Sequence, residues 1–174
     1  MTSFRIHSIR FIATVAVLTA GLAAPVRAQE PNLGTFTDWI AYDYDQSGSK
    51  RCTMASQPKK DEGDYTKRGA IWAFVMHRPK EGATGEVGFF MGYPLKEGSL
   101  VKVTIGGQTF DLFTSGEGAY AWPEDEPKLI AAMRGGASMV VKGVSARGTN
   151  TIDTYSLSGF TAAKGAIDKE CGVK

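Results

Sequence analysis

The stretch from Leu100 to Phe113 constrains the fold more than any other part of the chain. Val101, Val103 and Ile105 alternate with Lys102 and Thr104, the period of a strand with one buried face. Gly106-Gly107 follows, a dipeptide that supplies the positive φ angles of a tight hairpin, and Thr109 to Phe113 returns. Similar short runs recur on both sides. Thr35 to Tyr44 is aromatic and β-branched, Arg51 to Ser56 places Cys52 and Met54 on one face, and Glu86 to Met91 is another short strand. Ala70 to Met76 is continuously apolar, too short for a helix between Gly69 and Pro79, and suits a strand buried on both faces. Met139 to Val144 and Thr151 to Leu157 form a second hairpin through Arg147-Gly148-Thr149-Asn150, whereas the charged, aperiodic Pro58 to Lys67 reads as a loop. About eight strands with turns every 8–12 residues predict an all-β sandwich or barrel. Two short helices complete the pattern. Leu129, Ile130 and Met133 form one stripe between Pro127 and Gly135-Gly136, and Thr161 caps a segment in which Ile167 and Cys171 share a face.

The chain opens with the parts of a secretory signal peptide. Arg5 and Arg10 lead without an acid, Phe11 to Ala24 is almost wholly apolar, and Val26-Arg27-Ala28 places small residues at a cleavage site. The apolar run is shorter than the ~18–20 residues of a membrane span, so cleavage is expected after residue 28, with residues 29–174 as a single domain and no later transmembrane segment. Three of the 20 basic residues (Arg5, Arg10 and Arg27) belong to this leader, and none of the 18 acids does. The mature balance is therefore 17 against 18, or −1, which argues against a nucleic-acid or anionic-membrane partner. The expected location is the periplasm, the outer surface or the exterior. In such an oxidising compartment the simplest reading of Cys52 and Cys171 is a disulfide tying an early strand to the C-terminus; two free thiols or an intermolecular bridge are the alternatives.

No motif carries a reaction. Asp43-x-Asp45-x-Ser47-Gly48 copies the first half of a calcium loop, but the twelfth position is Met54 and Lys50 and Arg51 add positive charge, so a polar turn fits better. Gly116 to Ala121 matches a dinucleotide fingerprint only loosely, and Trp122-Pro123 follows where a helix would have to start. Gly143-Val144-Ser145-Ala146-Arg147 lacks the last glycine of a nucleophile elbow. His77, the one histidine after the leader, reads as a strand-end or surface residue, and one histidine does not build a usual zinc site. The acidic run Glu124-Asp125-Glu126 complements a helix N-terminus. No cofactor, metal or catalytic residue is expected. Of Trp39, Trp72 and Trp122, at least two should anchor the core. Trp122, in a turn-rich stretch with Tyr120, is the candidate for exposure.

A longer pattern is more specific than any of these motifs. Trp39 precedes Cys52; Arg68-Gly69 leads into an apolar strand; Gly92-Tyr93-Pro94-Leu95 precedes the Val101–Ile105 strand. Ala121-Trp122, Ala132-Met133-Arg134-Gly135-Gly136, Ser145-x-Arg147-Gly148-Thr149, Asp153 to Phe160 (DTYSLSGF) and Cys171 follow in order. In this order and spacing the chain resembles the invasion-associated locus B family of exported alphaproteobacterial proteins. The resemblance implies an immunoglobulin-like β-sandwich in the periplasm or at the cell surface, and a link in pathogenic members to host-cell invasion. It brings no catalytic residues. Physically, Arg147 and Asp153 lie near opposite ends of the hairpin turn and could pair across it, with Gly148 in a conformation other residues avoid. Asp153, Tyr155 and Leu157 share one strand face. The expected interaction surface is therefore Tyr120, Trp122, Arg147, Asp153 and Tyr155, on a non-enzymatic module that binds a protein or an envelope or host macromolecule. An envelope-acting hydrolase and a small-ligand carrier are the alternatives.

Overall fold

The structure is a computed structural model that describes residues 32–173; the expected leader lies outside the described residues. Eleven strands among them form one antiparallel ladder folded into two sheets. They are β1 (Gly34–Phe36), β2 (Trp39–Gln46), β3 (Ser49–Ser56), β4 (Lys60–Gly63), β5 (Trp72–Arg78), β6 (Ala83–Phe90), β7 (Val101–Ile105), β8 (Gln108–Ser115), β9 (Gly118–Tyr120), β10 (Ser138–Val144) and β11 (Asn150–Ser156), with helices α1 (Glu126–Gly135) and α2 (Phe160–Cys171). The spatial order is β1-β2-β3-β5-β6-β9-β8-β7-β10-β11-β4. Strand β8 belongs to both sheets. Its first half pairs with β7 and its last residues pair with β9. The expected all-β sandwich with two short helices and one disulfide is the fold observed.

The core follows from strand alternation. Ala41, Met54, Val75 and Val87 stand opposite one another across β2, β3, β5 and β6 and are buried. Val101, Val103, Leu112, Met139, Val141 and Tyr155 face them from the second sheet. Trp39 seals one end, packed edge-on against Phe160 at 5.0 Å with its indole N–H donating to the Ser156 carbonyl. It is the one tryptophan in the core. Trp72 is half-buried and Trp122 exposed, so the expectation of two core anchors fails because β5 turns Trp72 to the outside.

Helix α2 lies over β1, β2, β3 and β5, and Cys171 at its end is bonded to Cys52, closing a span of 119 residues. The helix begins two residues before the expected Ala162, with Gly159 at φ +90° as its N-cap and no side-chain cap, so Thr161 lies inside the helix. A Cβ at Gly159 would overlap the Phe36 carbonyl, so a glycine starts this helix. None of the described helices is long and apolar enough to cross a membrane.

Two local expectations need correction. The Thr35–Tyr44 run is broken into β1 and β2 by a turn with Thr37 at φ +51°. The Pro58–Lys67 segment is not all loop, because Lys60–Gly63 pairs with β11. This edge strand is exposed throughout, so its pairing is held by backbone bonds and leaves no hydrophobic period in the sequence.

The outer faces of the two sheets differ in chemistry. On the β7–β10–β11 side they carry Lys102, Thr104, Asp111, Lys142 and Thr154 around Val140 and Ile152, with Lys102 paired to Asp111 across the strands. On the other sheet, one row across six strands reads Ile40, Ala55, Phe74, Gly88, Tyr120 and Phe113.

Candidate binding groove

Asp153 projects inward from β11, and its side chain is fully buried. A buried carboxylate needs a cation with matching donors, and the strap before β5 supplies it. Arg68 reaches in with both terminal nitrogens, Nη1 and Nη2, each donating to one Asp153 oxygen at 2.7 Å. Its Nε donates to the Met91 carbonyl at 2.7 Å. The guanidinium is flanked by Tyr93 at 4.9 Å and Tyr65 at 5.5 Å from its central carbon. Burial pushes the Asp153 carboxyl above the usual carboxylate range, and the Arg68 guanidinium opposes that rise. With both oxygens occupied by cationic donors, the geometry is that of an ionised, bidentate pair.

The surrounding side chains are pinned from behind. The Tyr93 hydroxyl meets the Thr151 hydroxyl, and the Tyr65 hydroxyl donates to Asp61. The strap runs backbone-to-backbone past the β6–β7 connection, where the Gly69 N–H donates to the Gly92 carbonyl at 2.8 Å. Gly92 has φ +71°, and a Cβ there would stand 2.6 Å from the Gly69 carbonyl oxygen, so this crossing requires glycine. The β10–β11 turn is closed by the Thr149 N–H donating to the Ser145 hydroxyl at 3.1 Å, with Gly148 at φ +86°. The Ala146 N–H donates to the Pro94 carbonyl and ties this turn to the same connection. These loops enclose a groove of about 650 Å³ at one end of the sandwich, with Tyr65, Lys67, Tyr93, Glu117, Arg147 and Thr149 among its walls.

The five expected surface residues therefore separate. Arg147 is exposed at the groove. Asp153 pairs with Arg68 and not with Arg147, because strand alternation turns it to the interior while Arg147 stands in the turn. Tyr155 is also fully buried, with burial raising its hydroxyl pKa, so neither Asp153 nor Tyr155 belongs to an exposed surface. Tyr120 and Trp122 lie on the aromatic outer face of the other sheet, Trp122 being 42% exposed. Sequence reasoning missed Arg68 and Tyr65 as site residues. Arg68-Gly69 was legible only as part of the family pattern.

His77 is buried and not at the surface as expected. Its Nδ1 accepts the Gly85 N–H at 2.9 Å, so Nε2 carries the proton and donates to Asp168 at 2.8 Å. Burial holds its pKa below the ordinary histidine value. Asp168 also receives Lys164 and Arg134. Both ring nitrogens are thus committed, Nε2 to fastening α2 against β5 and Nδ1 to the neighbouring β6. The Asp43–Gly48 segment is the β2–β3 hairpin, in which the Gly48 N–H donates to Asp45 at 2.7 Å. Among the described residues no group of three or more His, Cys, Asp or Glu side chains is placed to hold a metal.

The crystal structure of invasion associated protein b from Bartonella henselae is similar to this chain, with a TM-score of 0.55 and 17% sequence identity. The match covers 79% of this chain and 95% of that one, and at this identity it shows a shared fold. No curated protein matches. The family model described as Invasion associated locus B (IalB) protein matches residues 39–168, which include the whole of the groove and the buried ion pair. The chain belongs to the invasion associated locus B family.

Proposed function

We propose that the mature chain is a non-enzymatic binding module, working outside the cytosol in the periplasm or at the cell surface, that holds another macromolecule at the end-loop groove. One observation carries this reading. Separate segments around residues 64–69, 92–94 and 145–151 meet at a single cleft, and their side chains are locked from behind by the Arg68–Asp153 pair and its hydrogen bonds. A preorganised polar cleft with tyrosine walls suits recognition, because little freedom remains to be lost on binding. Lys67 and Arg147 are balanced by Asp64 and Glu117, so the groove does not select for nucleic acid. Strand addition is the weaker mode. Of the two edge strands, β1 has three residues and β4 carries Lys60, Asp61 and Glu62, both features that discourage edge pairing. The committed ring nitrogens of His77 favour binding over hydrolysis, since neither is free to take a proton from a nucleophile. The invasion link of the family is, for this chain, a contact with an envelope or host macromolecule.

The test is a photo-activated cross-linker placed at Arg147 and, separately, at Lys142 on the outer face of the second sheet, in living cells. An adduct that forms from position 147, does not form from position 142, and disappears in a Tyr65→Ala background supports the groove. Absence of an adduct at 147, or equal capture at both positions, refutes it.

A further inference from the structure

The one histidine after the expected leader sits where its ring is held neutral. His77 lies on the inner face of β5, fully buried, beside an irregularity in the pairing with β6. The register runs from Met76 opposite Glu86 to His77 opposite Thr84, so Gly85 is the extra residue of a bulge. Gly85 has φ +81°, and its N–H, which faces no residue of the ladder, donates to His77 Nδ1 at 2.9 Å. A ring nitrogen that accepts a hydrogen bond carries no proton, so Nε2 holds the N–H of the neutral ring and gives it to Asp168 on α2 at 2.8 Å. The charged groups packed around the ring are engaged with one another. From α2, Lys164 is 6% exposed and bonds Asp168; from α1, Arg134 reaches the same carboxylate at 3.5 Å. From β6, Glu86 is held by Arg78, the next residue of β5, and the Glu126 carboxyl at the start of α1 feels the charges of both. From β3, the residue opposite His77 is Cys52, which is tied up in the disulfide.

We infer that this arrangement is an acid-sensitive latch: a proton on His77 uncouples α2 from β5, and the helix opens as a local unit that stays tethered through Cys171. The ring can take a second proton only at Nδ1, where it meets the Gly85 N–H, donor against donor, with no exposed surface through which water could intervene. Turning the ring over changes nothing, because both nitrogens of an imidazolium are donors. The added charge also finds no free carboxylate. Asp168 already serves Lys164 and Arg134, and Glu86 serves Arg78. A buried, uncompensated charge and a lost hydrogen bond both disfavour the closed form, whereas opening hydrates the imidazolium. Burial holds the ring's pKa below the ordinary histidine value, which agrees with the geometry. The sign follows. A group whose pKa is depressed on folding contributes stability that is present above its unfolded pKa and is lost as pH falls through the folded one. Opening uncovers apolar side chains, because Phe160, Ala163 and Ile167 of α2 have no exposed surface in the closed form. The helix is not lost, since Cys171 is bonded to Cys52 on the strand beside β5. None of these residues lines the groove, and the latch does not depend on the function proposed for it.

Amide hydrogen exchange of the mature, oxidised protein from about pH 7.5 to about pH 5, corrected for the intrinsic exchange rate, tests this. Protection of the α2 amides should fall below about pH 6.5, by at most about tenfold per pH unit for a single proton, while the β7–β8 hairpin keeps its protection. Ring ¹⁵N NMR, which reads one histidine in the mature chain, should show Nδ1 unprotonated for as long as α2 is protected. His77→Gln, whose amide does not titrate, should show α2 protection that is independent of pH. Glu126 does not mimic the effect, because protonating its raised carboxyl adds stability as pH falls. The paired carboxylates Asp38 and Glu81, held below their ordinary range, titrate beneath this window. Flat α2 protection across the range overturns the inference. So does a loss that reaches the β7–β8 hairpin equally, or one that His77→Gln retains. If His77→Gln does not fold, the wild-type ring decides: an imidazolium beside a protected α2, or an exchanging α2 beside a neutral ring, overturns it.

Discussion

Removing the charge of Asp153 by Asp153→Asn tests whether the pair behind the groove is the element that holds it together. In the native protein the Arg68 side chain is 4% exposed and Asp153 not at all, and three 2.7 Å bonds converge on the guanidinium. Asparagine keeps the shape but offers a neutral oxygen to one Nη and an amide N–H₂ to the other, leaving a buried cation half-satisfied. Breaking a buried pair from one side costs about 3–5 kcal/mol, against a total stability of roughly 5–15 kcal/mol for a domain of this size. Urea unfolding followed by tryptophan fluorescence should therefore show the midpoint falling by about a fifth or more. The companion double variant, Arg68→Met with Asp153→Leu, removes both charges together. Replacing a whole buried pair by apolar residues of similar volume is often neutral, so it should recover most of the loss, to within about 1 kcal/mol of wild type. The same double variant should lose the adduct from position 147, because Tyr65 and Tyr93 no longer have a cation to stack on. A single variant that costs under about 1 kcal/mol, or a double variant whose loss equals the sum of two singles, refutes the account of a buried, coupled pair.

Two further outcomes follow from other parts of the fold. Reduction of Cys52–Cys171, or its replacement by alanines, releases a 119-residue loop closure worth about 5 kcal/mol in the chain-entropy treatment, so the urea midpoint should drop sharply with a reductant; a shift under about 1 kcal/mol contradicts it. Burial and the charge of Glu86 push the Glu126 carboxyl up to about 7, and a carboxyl raised on folding adds stability below its unfolded value that is lost as pH climbs through the folded one. Thermal melts should therefore show Glu126→Gln gaining on wild type between about pH 5 and pH 8, and a pH-independent gap between the two excludes this titration.

The parts of this fold that were legible in the sequence are those where one strand face is wet and the other dry. The Val101–Ile105 hairpin and the Pro127 helix both state their orientation locally. The unreadable parts lack that contrast. Strand β4 is wet on both faces and leaves no period. Strand β5 is apolar on both faces, and apolar residues alone do not say whether a second layer covers Trp72 and Phe74. Alternation placed Asp153 with Tyr155 and Leu157 but did not say that their shared face was the interior, so a surface pair with nearby Arg147 looked reasonable. Its actual partner stands 85 residues earlier, and no local rule connects the two.

The two departures from an ordinary sandwich point in opposite directions. An ion pair lies inside, where apolar side chains of equal volume would serve stability as well or better. An aromatic row lies outside, where Lys and Thr serve the other sheet and would reduce self-association. A sandwich selected for stability alone would have no need of the buried pair. Local rules are broken together mainly at sites that do something, with the loss offset elsewhere. Here the offset is the long disulfide loop, whose ~5 kcal/mol is of the same order as a buried pair. On this reasoning the bond offsets what a domain of this size forgoes by keeping a charged pair behind its groove, and reducing it should loosen the groove.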